Sequence, residues 1–435
     1  MKDSKKKRLL VVQVAALGFD FLKTFHGAQW KGLEFKPMDS VFPALTCPVQ
    51  AAFRTASPPS EHGMVANGVF QKNLLKPMFW EQSSLLVDGA RIWQKFRDNE
   101  KKVAMLFWQQ SMGEYVDYLL TPAPIHKHHG GMIQDCYSKP AGLYQELCSV
   151  LGSPFKLRDY WGPMASTKAS DWIARATCSV LGKSDQAPDL CLTYLPGLDY
   201  DLQRYGPDHE KSRKALGEVI KQLDMLRETA EANGYDILVF GDYAIGNCSE
   251  AVFPNRLLRD AGFLNVRDVK GRLYPDIFES RAFAMTDHEI AHVYLSDPDD
   301  EQAVRSMFSG TKEIAEVLGK VEQIRKGIDH YNSGNLVLIA SEGKWMSYPW
   351  WNENETGPEY AGHVDIHNKP GYDPCELFWG WPPGSVSKDT GKVRGSHGRV
   401  VSSRRTCWAS TCVDTVPANH VELASYIKLW LNEVS

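Results

Sequence analysis

DLCLTYLPGLDYDLQRYGPDHEKSRKALGEVIKQLDMLRETAEANGYDILVFGD, residues 189–242, decides the fold class. It opens on DLCLTYLPG and closes on YDILVFGD, two short runs rich in Leu, Val and Ile of the kind that fills a strand buried on both faces. Between them Leu216, Val219, Ile220, Leu223, Leu226 and Ala230 recur at helical spacing within Glu210–Asn233, and Gly234 follows as a stop. Strand, helix, strand is the unit of a parallel sheet with a right-handed crossover. Working outward, LLVVQV near the N-terminus is a third run of the same type. Ligands of open parallel sheets sit beyond the carboxyl ends of the strands, which singles out Asp199 and Asp242. The competing reading of both is a cap on the turn that follows each strand.

The rest of the chain fits one large α/β domain spanning residues 1–435. RAFAMTDHEIAHVYL, the helical stretch around DEQAVRSMF and the run GNLVLIA predict a small α+β excursion at about 281–330. The final part, with SYPWW, FWGWPPG and GSHGRV, reads as long structured loops of the sort that close over a site. Hydrophobic residues are 43% and charged residues 23%, and 49 basic against 53 acidic side chains give a net charge of −4. That excludes a disordered chain and a basic surface for duplex nucleic acid. No apolar run reaches the roughly 18 residues of a membrane span. Nine scattered cysteines without paired spacing predict reduced thiols and a cytoplasmic protein. The start MKDSKKKRLLVVQVAALG has the outline of a secretory signal, but its Val-rich run and the absence of a small-x-small cleavage site favour a first core strand.

FPALTCPVQAAFRTASPPSEHGMVANGVF, residues 42–70, carries a compact pattern in Pro43, Thr46, Pro48, Pro58, His62, Gly63 and Asn67. Here the sequence resembles the alkaline phosphatase superfamily, and within it the type I phosphodiesterase and nucleotide pyrophosphatase branch. The resemblance implies a three-layer α/β/α sandwich with a mostly parallel central sheet. It implies a small-molecule phosphate ester or related metabolite as substrate, Thr46 as the nucleophile that attacks phosphorus, and Asn67 as a ligand of a phosphate oxygen. A threonine hydroxyl needs a base or a metal to attack at neutral pH, and this family uses two metal ions.

The family's metal ligands map unevenly onto this chain. Asp199 matches a ligand, with Gln203 at the place of the partner His; Asp242 matches the Asp of a DHG motif, with Tyr243 in place of its His. The Asp after the first strand falls on Ala15 or Ala16, and His397 in RGSHGR keeps the C-terminal His. One site would hold Asp199, His397 and Gln203, the other only Asp242 and Thr46. Such sets suit a single zinc poorly and a hard magnesium, manganese or calcium ion better, so the expectation is one divalent ion or none ahead of two. Two function classes follow: a phosphodiesterase-like hydrolase or transferase with a reduced metal site, and a homologue that binds a phosphorylated metabolite without hydrolysing it.

Other motifs have plainer readings. His288, Glu289 and His292 spell HExxH, which on a helix would make a zinc protease, but AHVYL alternates as a strand does and predicts a strand with surface histidines. His126, His128 and His129 in HKHHGG read as a solvated loop ahead of a metal tract. DIHNKPGYDP holds His367 and Lys369, and Lys369 is a candidate substrate contact at the mouth of the site. Arg204 is a candidate phosphate fork if no metal is bound, against the alternative of a surface ion pair.

Overall fold

A computed structural model describes residues 7–128 and 131–433. Twelve strands matter for the site: β1 (Arg8–Val14), β2 (Lys36–Met38), β3 (Val103–Leu106), β4 (Tyr118–Pro122), β5 (Cys136–Lys139), β6 (Leu190–Leu195), β7 (Tyr235–Gly241), β8 (Ala282–Asp287), β9 (Ile290–Leu295), β10 (Ile314–Leu318), β11 (Leu336–Ala340) and β12 (Thr406–Ser410). The helices that position it are α1 (Thr46–Thr55), α2 (Thr167–Leu181), α3 (Gly197–Tyr205), α4 (Glu210–Ala232), α5 (Glu301–Ser309) and α6 (His420–Glu433).

The large sheet has the order β5-β4-β3-β6-β1-β7-β12-β2. Strands β4, β3, β6, β1 and β7 run parallel; β5 pairs antiparallel with β4 at one edge, and beyond β7 the antiparallel β12 is followed by β2, which pairs antiparallel with β12 and forms the other edge. The three apolar runs of the sequence are its three central strands, and their side chains are buried on both faces as such runs require. Thr193 of β6 faces α2, whose Thr177 hydroxyl lies 2.9 Å from its own. Phe240 of β7 shares its register with the opposite face and stacks on Phe53 of α1 at 4.8 Å, with His420 of α6 at 5.6 Å. Alternation along the strands therefore puts α2 on one face and α1 with α6 on the other, giving three layers.

Register explains where the site forms. Val14 pairs with both Leu195 and Gly241, so β6, β1 and β7 end level with one another. The residues that follow, Ala15 and Ala16, Pro196 to Asp199, and Asp242, rise together at one edge of the sheet. Gly241 is required there: a Cβ would stand 2.3 Å from the Leu17 carbonyl oxygen.

The small antiparallel sheet has the order β8-β9-β11-β10, with α5 packed on it. It ends at Ala340 rather than near 330, because GNLVLIA supplies β11, paired to both β9 and β10. HExxH lies on the β8–β9 hairpin, where His288 takes a left-handed φ of 58° in the turn. The expectation of surface histidines is corrected: His288 and His292 are both buried. No helix among the described residues is long and apolar enough to cross a membrane.

Candidate active site

Thr46 is the first residue of α1 and is buried, with Leu45 extended before it. Its hydroxyl lines a crevice together with Tyr194 and Tyr243. It lies 3.5 Å from the Tyr243 Oη, at the outer limit of a hydrogen bond. Burial raises both tyrosines well above their ordinary value, so both remain neutral hydroxyls.

Asp199 sits in the first turn of α3, directly past β6. Tyr243 Oη donates to its Oδ1 at 3.0 Å, and Gln203, one turn along the same helix, donates its amide N–H to Oδ2. Burial pushes the Asp199 carboxyl up to about 6, while the bonds from Gln203 and Tyr243 pull the other way. Gln203 in turn accepts from Tyr372 Oη at 3.0 Å. Asp242, fully buried past β7, accepts from Gln13 Nε2 at 3.1 Å and from the main-chain N–H groups of Ala16 and Tyr243, each at 2.9 Å. Burial raises it to about 8 against those three donors.

Behind these carboxylates four rings form a column. Tyr243 stacks on His397 with centroids 3.4 Å apart, His397 meets His288 at 3.8 Å, and His288 stacks on Tyr372 at 3.9 Å. His397 donates Nδ1–H to the Ala44 carbonyl, which leaves its Nε2 as a bare lone pair, buried, unpartnered and 3.9 Å from Asp199 Oδ1. His288 bonds Asp287 through Nδ1 at 2.7 Å. Burial drives both histidines down, His288 to about 3, so both rings are neutral.

These residues do not fit the family's metal ions. Ala15 offers no ligand atom, and its neighbour Ala16 contributes only an N–H to Asp242. Tyr243 occupies the place of a histidine, with its ring packed on His397 and its hydroxyl proton aimed at Asp199. Gln203 turns its N–H toward Asp199 and gives its oxygen to Tyr372. Donor protons thus point at the carboxylate oxygens where a cation would bind. Among the described residues no group of three His, Cys, Asp or Glu is gathered so as to hold a metal ion.

The structure brings Thr46, Asp199, Gln203, Asp242 and His397 together and gives the other candidates different work. Asn67 is a strap: its Oδ1 accepts from the Cys47 N–H at 3.0 Å, and its Nδ2 donates to Asp287 at 3.1 Å. Arg204 is no phosphate fork. Its guanidinium is spent on the carbonyls of Leu377, Ala165, Gly162 and Pro163 and on Asp201, which clamps two loops to α3. Lys369 does line the crevice, buried and held by Asp373 at 2.8 Å and Glu376 at 2.7 Å. Glu289 pairs with Arg404 and accepts from the Arg399 N–H, and both His292 nitrogens meet main-chain atoms, so HExxH forms no zinc site. His129 lies outside the described residues; His126 is exposed and approaches His367.

Sequence reasoning missed Gln13, Tyr194, Asp287 and Tyr372, and it read His288 as a surface position of HExxH. Gln13, Tyr194 and Asp287 are buried side chains with polar atoms at strand ends, a signal that no single motif spells. The crevice above Thr46 encloses about 740 Å³ of non-atom space, its mouth included, and is walled on the far side by the loop 365–377. It opens past Trp80, Tyr160 and Trp161 toward His126 and His367.

Comparison with known proteins agrees with this architecture. The chain is similar to murine ectonucleotide pyrophosphatase/phosphodiesterase 5, at TM-score 0.61 and 16% identity over 98% of this chain and 95% of that one. An inactive threonine-to-alanine form of the murine protein in complex with AMP gives TM-score 0.62 and 15% identity over 98% and 95%. Phosphonoacetate hydrolase from Sinorhizobium meliloti, in complex with phosphonoformate, gives 0.62 and 14% over 99% and 96%. No curated protein matches the sequence. The profile of the type I phosphodiesterase/nucleotide pyrophosphatase family matches residues 15–373. With that profile covering most of its length, the chain belongs to the type I phosphodiesterase/nucleotide pyrophosphatase family, phosphoester hydrolases of the alkaline phosphatase superfamily.

Proposed function

We propose that the protein is a hydrolase or transferase of a small phosphate ester in which Thr46 is the nucleophile and a hydroxyl relay, in place of metal ions, takes its proton. One observation supports this above the rest: Thr46 Oγ1, Tyr243 Oη and Asp199 Oδ1 lie in series at 3.5 and 3.0 Å. As Thr46 Oγ1 bonds to phosphorus, its proton passes to Tyr243 Oη and the tyrosine's own proton passes to Asp199. The bond from phosphorus to the leaving oxygen breaks, and the proton held by Asp199 is returned to that oxygen. Water then attacks the phosphothreonine and gives one proton to Asp199, the bond from phosphorus to Thr46 Oγ1 breaks, and that proton returns through Tyr243 to Oγ1 as the phosphoryl product leaves. A carboxyl poised near 6 is suited to take and return a proton at neutral pH. The positive end of α1 favours the phosphoryl charge beside Thr46. That a threonine-to-alanine form of the murine relative is inactive is in keeping with this role.

Thr46→Ala should abolish turnover and the phosphorylated intermediate, seen by mass spectrometry after acid quenching, with unchanged circular dichroism. Turnover at the parent rate in that variant would reject Thr46 as nucleophile. A second reading, binding of a phosphorylated metabolite without hydrolysis, is favoured by the lining itself, which offers one ammonium, already paired. Saturable binding of an ester with no product and no phosphothreonine would select it.

A further inference from the structure

The loop 365–377 that walls the crevice over Thr46 has a second cavity on its other side, with about 850 Å³ of non-atom space, its mouth included. Asp373 lines both spaces, and its carboxylate is taken up by Lys369 at 2.8 Å and by the Cys375 N–H at 3.0 Å. The second cavity forms where two short strands end together. Glu250–Val252 and Lys344–Met346 pair parallel with Val252 opposite Met346, and the Ser347 N–H donates to the Val252 carbonyl at 2.7 Å. The residues that follow, Phe253 and Arg256 from one strand and Ser347 and Tyr348 from the other, therefore gather around one space, which Lys388 and Thr390 close from the side.

Several polar groups of this lining have no work within the fold. Arg256 lays its guanidinium on the Phe253 ring at 3.8 Å, yet it makes no hydrogen bond or ion pair among the described residues, and its Nε is buried without an acceptor. Burial holds the guanidinium below its usual value, and the carboxylates of Glu353, Asp260 and Glu355 pull the other way without restoring it. Glu355 is itself held by both terminal nitrogens of Arg259, and Glu353 and Asp260 are exposed. Ser347 and Tyr348 are each 2% exposed, and neither side-chain hydroxyl has a partner. Lys388 makes no ion pair either. Buried donors without acceptors cost free energy, which a ligand carrying oxygen atoms would recover.

We propose that this cavity binds a small oxyanion, a phosphate or carboxylate group, on the N–H edge of Arg256, with Ser347 and Tyr348 donating to its oxygens and Lys388 at the rim. A guanidinium held flat on an aromatic ring presents its donors as a planar fork, which matches two oxygens of one anion. The acids of the cavity do not take that place. Asp373 is neutralised by Lys369, Asp389 accepts the Gly391 N–H at 3.0 Å, and Glu353 and Asp389 stand exposed, where solvent weakens their field. The site is separate from Thr46 and does not depend on the phosphoester reading.

The test uses the full chain. Sodium phosphate and sodium malonate are titrated separately by calorimetry, at an ionic strength held constant with chloride, into the parent protein, Arg256→Gln, Arg256→Lys and Ser347→Ala. Saturable binding should weaken by at least about tenfold in Arg256→Gln, by about fivefold in Arg256→Lys, which keeps the charge without the fork, and by about threefold in Ser347→Ala. Without anion, Arg256→Gln should unfold at close to the parent's urea midpoint, because the guanidinium has no hydrogen bond to lose; this separates lost binding from lost folding. Phosphate bound more tightly than malonate assigns a phosphoryl ligand, and the reverse assigns a carboxylate. Binding that is undiminished in Arg256→Gln and Ser347→Ala overturns the inference and places the anion elsewhere, the crevice over Thr46 included. Absence of saturable binding by either anion overturns it as well.

Discussion

Replacing Asp242 by Asn tests whether this carboxyl lives without a metal. Burial holds it up to about 8, so the folded protein keeps its proton at pH 7 where the unfolded chain, with an ordinary carboxyl near 3.8, has lost it. A group raised on folding gives stability that is complete below the unfolded value and is lost as pH rises through the folded value. The span is about four units, on the order of 5 kcal/mol in all. Between pH 7 and pH 9 the part still to be lost is about 1.4 kcal/mol, a tenfold change in the folding equilibrium. The amide carries no charge at any pH, so Asp242→Asn should lack that fall. Gln13 can meet it, because its Oε1 is buried without a partner and a flip would present it to the new N–H group. Urea unfolding of both proteins at pH 7, 8 and 9 and constant ionic strength reads the difference. This window lies above the region where the buried histidines His62, His288, His292, His397 and His420, all held low by burial, give the opposite slope in both proteins. Identical pH dependence of the two proteins would refute the reasoning, since it would mean that Asp242 is already ionised in the native state, as a bound cation would make it.

Three further outcomes follow from named contacts. Tyr243→Phe removes the donor to Asp199 and the acceptor for Thr46, and should lower kcat by at least about a hundredfold while KM changes little, read by steady-state kinetics. Lys369→Met leaves Asp373 and Glu376 buried and unneutralised and should cost about 3–5 kcal/mol in urea unfolding. Arg204→Met frees four carbonyls and should destabilise by about 2–4 kcal/mol, with KM unchanged in whatever folded protein remains.

Much of the fold is legible because the central strands are buried on both faces and so read as unbroken apolar runs. LLVVQV, DLCLTYLPG and YDILVFGD are such runs, and their register brings Asp199 and Asp242 to one edge. The outer strands β5, β12 and β2 are short and mixed in composition, and nothing in their sequence announces them. At the site, the carboxylates were legible from their places after strands, whereas their partners were not. Tyr243 reads as the loss of a histidine; only in three dimensions is it a gain, since its hydroxyl links Thr46 to Asp199 across 197 and 44 residues of chain. Asp287 meets Asn67 across 220 residues, from the turn of a hairpin in a different sheet. Arg204 was misread because a charge on a helix looks solvated until the loops that supply its carbonyl partners fold over it.

The claim at the centre of this account is that hydrogen-bonded side chains stand where the family places metal ions. Metal analysis by mass spectrometry, on protein purified without added metal and again after equilibration with zinc and removal of the excess, tests it most directly. The account predicts well short of one equivalent of any transition metal per chain in both samples, with turnover unchanged by chelators. Retention of two equivalents, with activity lost on chelation and restored by zinc, would contradict it.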